Sequence, residues 1–292
     1  MSSARIMPLT EARLKEPPMQ SLIDAVYIPG LERETDPQAF QAHVWVDLAH
    51  ATMLTEQGLI PTDAAKRLLE CLLLLRQQGP SALQIDPALG SLVPQIEQFI
   101  AVRAGQEAAG MLQLARSRID GSAAVMRVGT REPILATIEA VLEFQDVLRD
   151  RAAEWADVIM PGYSHLQHAQ PWVLGHYLLS HYDSLARDVE RLFELYRRVD
   201  LSTLGTAALA GTSWPVDRRR AAVLLGHPDL VLNSQDAGCF EMDFLAEAAA
   251  SLSILMSGLG RLASELYIWN SWEFRMVEMT DGLCGTSSIM PQ

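Results

Sequence analysis

From about residue 134 onward, apolar positions recur at steps of three and four that persist for many turns. Ile134, Ile138, Val141, Leu148 and Trp155 fall on one stripe, with Pro133 placed to start or bend that helix. Leu178, Tyr182, Leu185, Val189, Leu192 and Tyr196 form a second. In a third, Leu245, Leu252, Leu259 and Leu266 lie seven apart, with Ala248, Leu255 and Leu262 between them. Sustained seven-residue spacing keeps a seam turned toward its neighbours, which is how long, nearly parallel helices pack. Before residue 110 the pattern is shorter: Phe40, Val44, Leu48 and Ala51 mark one helix, and Pro61 to Gly79 bracket another. Pro80, Pro87 and Gly90 mark a connecting loop. Strand signals are sparse. The expectation is an all-α chain: a smaller helical N-terminal domain over residues 1–112 and a long-helix bundle over 113–292. The third helix is apolar around much of its circumference, which predicts burial by more than one neighbour and so an oligomer.

Four polar, glycine-bearing stretches interrupt the helices: ARSRIDGS (115–122), MPGYSHLQHAQP (160–171), LGTAALAGTSWP (204–215) and the terminal GTSSIMPQ. Loops at the ends of rigid helices are where chemistry is usually carried.

Composition narrows the partners. With 36 acidic and 23 basic residues, a net charge of −13 opposes general binding to nucleic acid or to an anionic membrane surface, but leaves a small anionic substrate open. No apolar run approaches the roughly 18–20 residues that cross a bilayer, and the first residues lack the apolar stretch of a signal peptide. Cys71, Cys239 and Cys284 are far apart with no CxxC pairing, which points to a reducing cytoplasm and away from a disulfide framework.

Among candidate groups, His165 and His168 share a turn with Ser164, Gln167 and Gln170; His165 reads equally as a pocket lining or as a buried histidine bonded to the backbone. No carboxylate or cysteine accompanies the two histidines at ligand spacing, so no metal site is expected. His176 and His181 read as solvated or packing residues. Ser287 and Ser288 have no G-x-S-x-G elbow. GTAALAG lacks the spacing of a dinucleotide loop, and no cofactor is expected. Arg116 and Arg118 are local anion binders or a pair of surface arginines.

Taken together, the four stretches resemble the aspartase/fumarase superfamily, argininosuccinate lyases in particular. PGYSHLQHAQP is similar to that family's P-G-Y-T-H-L-Q-R-A-Q-P, LGTAALAGTSWPVDR to its L-G-x-x-A-L-A-G-T-x-x-P-x-D-R, and GTSSIMPQ to the opening of its G-S-S-x-M-P-Q-K-K-N-P loop, with Gln292 in register. The resemblance implies a fumarase/aspartase-like bundle, a homotetramer whose sites draw loops from several subunits, and elimination of an amine or guanidine from an N-substituted aspartate to give fumarate. It implies Ser287 as the base on a closing loop and His165 as the residue that orients groups or protonates the departing nitrogen. Ser117 and Arg118 would bind a substrate carboxylate, and Ser164, Gln167 and Ser288 would line the site.

The family continues beyond its loop with Lys and Asn, further helices and a small C-terminal domain, so the chain reads as one cut inside that signature. Ile119 stands where the family has Asn, residues 237–243 depart from its V-S-D-R-D-F pattern, and its W-G-G-R-F segment is absent. Lys15 and Lys66 are the only lysines. The isolated chain is therefore expected to be inactive or weak. The alternative of another class is a non-catalytic helical scaffold or partner subunit.

Overall fold

A computed structural model describes residues 17–238 and 242–290; the stretch 239–241 within the altered segment, and Gln292, lie outside the described residues. The elements follow in chain order: α1 (Gln20–Leu22), a π-helical turn (Ile23–Tyr27), α2 (Ile28–Glu34), α3 (Pro37–Glu56), α4 (Thr62–Gln78), α5 (Leu92–Ala104), α6 (Gln106–Met111) and α7 (Arg118–Glu154). Then come β1 (Ile159–Ser164), β2 (Gln167–Val173), α8 (Leu174–Val199), β3 (Leu201–Ser202), α9 (Arg218–Leu225), β4 (Asp229–Leu230), α10 (Ser234–Gly238) and α11 (Asp243–Trp269).

Spatial contacts divide the described chain into two units, one of residues 17–134 with 196–238 and 242, the other of Leu135–Leu195 with 243–290. Neither is contiguous, so this division differs in kind from a sequential boundary at 112/113. α7 contributes to both.

The first unit is built on short helices started by local chemistry. Asp36 accepts hydrogen bonds from the backbone N–H groups of Gln38 and Ala39 at the head of α3 (3.0 and 3.4 Å), where Pro37 can stand because a first-turn residue needs no N–H partner. α4 stops at Gly79, whose φ of 72° few other residues would adopt. Phe40, Val44, Met53 and Leu54 of α3 are completely buried with Leu68, Leu72 and Leu75 of α4 and Leu92, Ile96 and Ile100 of α5. In the same unit, Arg131 reaches Asp200 (3.0 Å) and the Leu225 carbonyl (3.0 Å), and His227 Nδ1 lies 2.8 Å from the same carboxylate oxygen. Desolvation lowers the pKa of His227, against the pull of Asp200, so the neutral ring donates to the carboxylate.

The second unit holds the remainder of α7, α8, α11 and a β-hairpin. α7 begins at Arg118 and runs unbroken past Pro133, so that proline starts nothing. Ile134, Ile138, Val141 and Leu148 are buried as their spacing predicts, as are Leu178, Leu185, Val189 and Leu192 of α8. Exposed His176 and buried His181 match the solvated and packing readings. Tyr177 of α8 donates to Glu265 of α11 and packs its ring on Trp172, His181 and Trp269, at centroid distances of 5.2, 4.9 and 4.8 Å.

Two expectations are corrected. Leu255 and Leu262 of the expected α11 seam are buried, but the rest of the buried stripe is Phe244, Ser251 and Trp269, while Leu252 of that seam is 42% exposed beside Ile254 and Met256. An apolar helix offers seven-residue spacings at more than one offset, and only its neighbours decide which is covered. Second, the stretch 160–171, read as a loop between helices, lies in an antiparallel hairpin of residues 159–173, and β3 pairs with β4 in parallel, within a chain that is otherwise helical as expected. Pro161 and Pro171 read as loop residues, but both strands of a lone hairpin are edges, where a missing N–H is tolerated, and the register shifts between Pro161 and Tyr163.

The start of α8 packs closely on the end of α7. A Cβ added at Gly175 would lie 2.4 Å from the carbonyl oxygen of Ala152 and 3.3 Å from the Ala156 Cα. Gly175→Ala is expected to lower stability by about 1–3 kcal/mol in urea unfolding, through forced separation of backbone segments that cannot yield as a flexible side chain would.

Candidate active site

Departures from ordinary backbone geometry mark the candidate segments. Among the described residues, the non-glycine positions with positive φ are Ala115 (58°), His165 (55°), Leu166 (59°), Ala207 (54°) and Arg275 (46°). Four of these five fall in three of the four polar interruptions. Such conformations cost on the order of 1–3 kcal/mol each and persist only where the surroundings enforce them.

In the second unit, Ser164 and Gln167 close the hairpin as a facing pair, and His165 and Leu166 form its two-residue loop. A loop of that length matches strand twist when both residues take positive φ, a demand usually met by Asn and Gly. Here His165 and Leu166 meet it, and both project from the tip; Leu166 is 63% exposed. Exposed His165 is not the buried, backbone-bonded histidine that the sequence equally allowed. Beneath the tip, the Tyr163 hydroxyl lies 3.1 Å from His168 Nε2, and the Tyr163 ring meets Phe274 edge-on at 5.0 Å. Ser287 and Ser288 lie in the exposed stretch that follows α11, where Ser287 Oγ accepts from the backbone of Met290 (3.0 Å) and Ile289 (3.4 Å).

In the first unit, Ser117 and Asp120 form a reciprocal cap at the start of α7: Ser117 Oγ accepts from the Ile119 N–H (3.3 Å) and Asp120 Oδ1 from the Ser117 N–H (2.9 Å). The other Asp120 oxygen accepts from the backbone N–H groups of Gly205 (3.2 Å) and Ala207 (3.1 Å). One carboxylate thus ties SRID to GTAALAG. Complete burial raises its pKa, chiefly by desolvation, with Arg116 and the three N–H groups opposing. Arg118 is exposed. Arg116 is not a surface arginine: its Nη2 meets Asp47 Oδ1 at 2.7 Å, and each of the two side chains is 2% exposed.

Ser117 and Arg118 therefore stand at the head of α7 in one unit, and Ser164, His165, Gln167, Ser287 and Ser288 in the other. Each group is assembled within its own unit. Sequence reasoning missed the acidic and imidazole groups behind Ser117: Asp47, His50 and Glu97. The available signal was polar residues at helix positions that share a face with apolar ones, since His43, Asp47 and His50 stand at i, i+4 and i+7 on α3. Among the described residues, no group of three His, Cys, Asp or Glu could hold a metal ion, and no helix is long and apolar enough to cross a membrane.

Glu97 of α5 is 5% exposed, and desolvation raises its pKa to about 7 against the opposing charges of Arg118 and Arg116. A carboxyl group whose folded pKa exceeds its unfolded value of 4.5 stabilises fully below that value, and the contribution is lost as pH rises through 7. The wild type should therefore lose up to about 3 kcal/mol between roughly pH 4.5 and 8 that Glu97→Gln retains. Urea unfolding of both proteins at the two pH values checks this. Neutral His50, whose pKa falls to about 3 through burial, acts in the opposite sense in both proteins and cancels in the comparison.

A family model described as lyase matches residues 36–292. Argininosuccinate lyase of Methanothermobacter thermautotrophicus is 39% identical over 257 residues, which are 88% of this chain and 54% of the relative. That of Methanocorpusculum labreanum is 41% identical over 259 residues, 89% of this chain and 52% of the relative. Among solved structures, an EDDS lyase variant with bound fumarate superimposes with a TM-score of 0.80 at 37% identity, covering 87% of this chain and 50% of the other. EDDS lyase in complex with formate gives the same values. The chain shares the fold of those enzymes and spans about half the length of the curated relatives it matches.

Proposed function

The chain belongs to the lyase family, and from that premise we propose that it supplies catalytic segments of an argininosuccinate-lyase-like carbon–nitrogen lyase, which releases fumarate from an N-substituted aspartate. The observation that carries the reading is the concentration of positive-φ residues in ARSRIDGS, SHLQ and GTAALAG, the segments that also carry the resemblance. Strain of this kind is kept where the positions of side chains matter more than stability.

In this reading Ser287, on the exposed stretch after α11, removes the proton from the carbon next to a substrate carboxylate. The electron pair passes into that carboxylate, giving an aci-carboxylate dianion, and then expels the nitrogen with formation of the carbon–carbon double bond. The guanidinium of Arg118 and the hydroxyl of Ser117 hold a substrate carboxylate at the head of α7, where the helix terminus also favours negative charge. Ser164 and Gln167 flank His165, which orients or protonates the leaving nitrogen; Ser288 lines the same loop. No cofactor takes part.

The whole enzyme is proposed as a cytoplasmic homotetramer, with the helical domain of residues 1–112 preceding the bundle. The open apolar face of α11, with Leu252, Ile254 and Met256, supports burial by further copies.

The test uses the complete reading frame that contains these residues. Its purified product should form fumarate from argininosuccinate or another N-substituted aspartate, followed by ultraviolet absorbance, and Ser287→Ala should lower kcat by about 100- to 10,000-fold. Absence of fumarate from the wild type with every such substrate would contradict the reading.

A further inference from the structure

Behind Ser117, a turn with unusual backbone geometry is held by side chains from another helix. Residues 112–117 connect α6 to α7, and Ala115 stands there at φ 58°. Two groups on α3 grip the residues that flank it. His50 Nε2 lies 2.9 Å from the Leu114 carbonyl oxygen and, in its neutral form, donates to it. Asp47 binds Arg116 at 2.7 Å, and Arg116 Nε adds a bond to Gln113 Oε1 within the turn (3.2 Å).

A buried pair of this kind contributes little net stability, because desolvation offsets most of its attraction; its use is better sought in the conformation it selects. The surroundings also leave polar atoms without protein partners. Asp47 Oδ2, Arg116 Nη1, Gln113 Nε2 and Glu97 Oε2 are all buried and without a hydrogen-bond partner among the described residues, with His43 Nε2 3.9 Å from Asp47 Oδ2. A small cavity lined by His43, Asp47, Gln113, Arg116 and Ser117 adjoins them. An arrangement chosen for stability alone would fill that space with apolar groups.

We infer that Asp47 is a positioning residue: through its ion pair with Arg116, assisted by His50 on Leu114, it fixes the 114–117 turn so that Ser117 and Arg118 meet a substrate carboxylate. The inference rests on the lyase reading for the identity of that ligand. Its structural half, that α3 holds the turn, stands on the geometry alone. Asp47 touches no substrate and acts only through Arg116.

The test separates position from stability. Asp47→Asn removes one charge of a buried pair and should destabilise the protein. The double variant Asp47→Leu/Arg116→Met replaces both charges with apolar groups, so it should keep wild-type thermal stability. If the pair positions the turn, the double variant, made in the complete reading frame, raises KM about 100-fold with kcat nearly unchanged, because carboxylate binding is lost equally in ground and transition states. Backbone amides of residues 112–118 then exchange faster, while the rest of α3 and α7 is unaffected. A stable double variant with wild-type KM and unchanged exchange overturns the inference. If the double variant does not fold, Asp47→Glu, which keeps the charge but moves it, carries the same two readouts: a raised KM with faster exchange supports the inference, and wild-type values for both overturn it. A wild type that makes no fumarate overturns the lyase reading instead; amide exchange in the variants then still decides whether α3 holds the turn.

Discussion

The structure depends on rigid packing that can hold a few backbone positions where they would not rest by themselves. Ala115, His165, Leu166 and Ala207 each adopt a left-handed conformation without the freedom of glycine, and each lies beside a helix or strand end that is fixed by other interactions. Asp120 joins two of these places, accepting N–H groups from Ser117, Gly205 and Ala207 with one carboxylate. The hairpin loop is held from below by Tyr163 with His168 and Phe274, and the helices on either side of the hairpin, α7 and α8, meet closely at Ala152 and Gly175. Cores of Leu, Ile and Phe supply the stiffness, and the polar segments take up the strain.

Seen this way, the electrostatics of the first unit have a purpose beyond stability. Asp47, Arg116 and Glu97 are buried near one another, with Arg118 exposed at the edge of the group. Burial alone disfavours all of these charges. Their mutual attraction, and the raised pKa that lets Glu97 take up a proton near neutrality, allow an arginine-rich helix start to exist in a chain that is otherwise strongly acidic. Arg118, exposed at that helix start, is the cation the group leaves facing solvent in a chain whose net charge is −13.

Much of this was legible in the sequence. The stripes of α7 and α8 follow from three- and four-residue spacing, and they are buried where that spacing puts them. Glycine and proline marked the turns around Gly79, Pro80 and Pro87 for plain steric reasons. Periodicity placed Leu255 and Leu262 of α11 correctly but not the rest of its buried face, since tertiary neighbours cover Phe244, Ser251 and Trp269 and leave Leu252 exposed. The hairpin was hidden because Pro161, Gly162 and Pro171 look like loop residues, and because its turn uses His and Leu where local preference asks for Asn and Gly. Ser164, His165 and Gln167 stand out in the sequence as a polar turn and by resemblance, and the geometry puts them at an exposed, strained hairpin tip. Asp47 and His50 were passed over because a polar residue inside an apolar helix pattern has no visible partner until the fold supplies one.

The most direct measurement is amide hydrogen exchange of the complete protein titrated with succinate, a dicarboxylate that cannot react. The account requires residues 115–120 and 204–211 of the first unit to gain protection together, with one common midpoint, because Asp120 ties the two segments to each other. Protection confined to one segment, or none at saturating succinate, would contradict it.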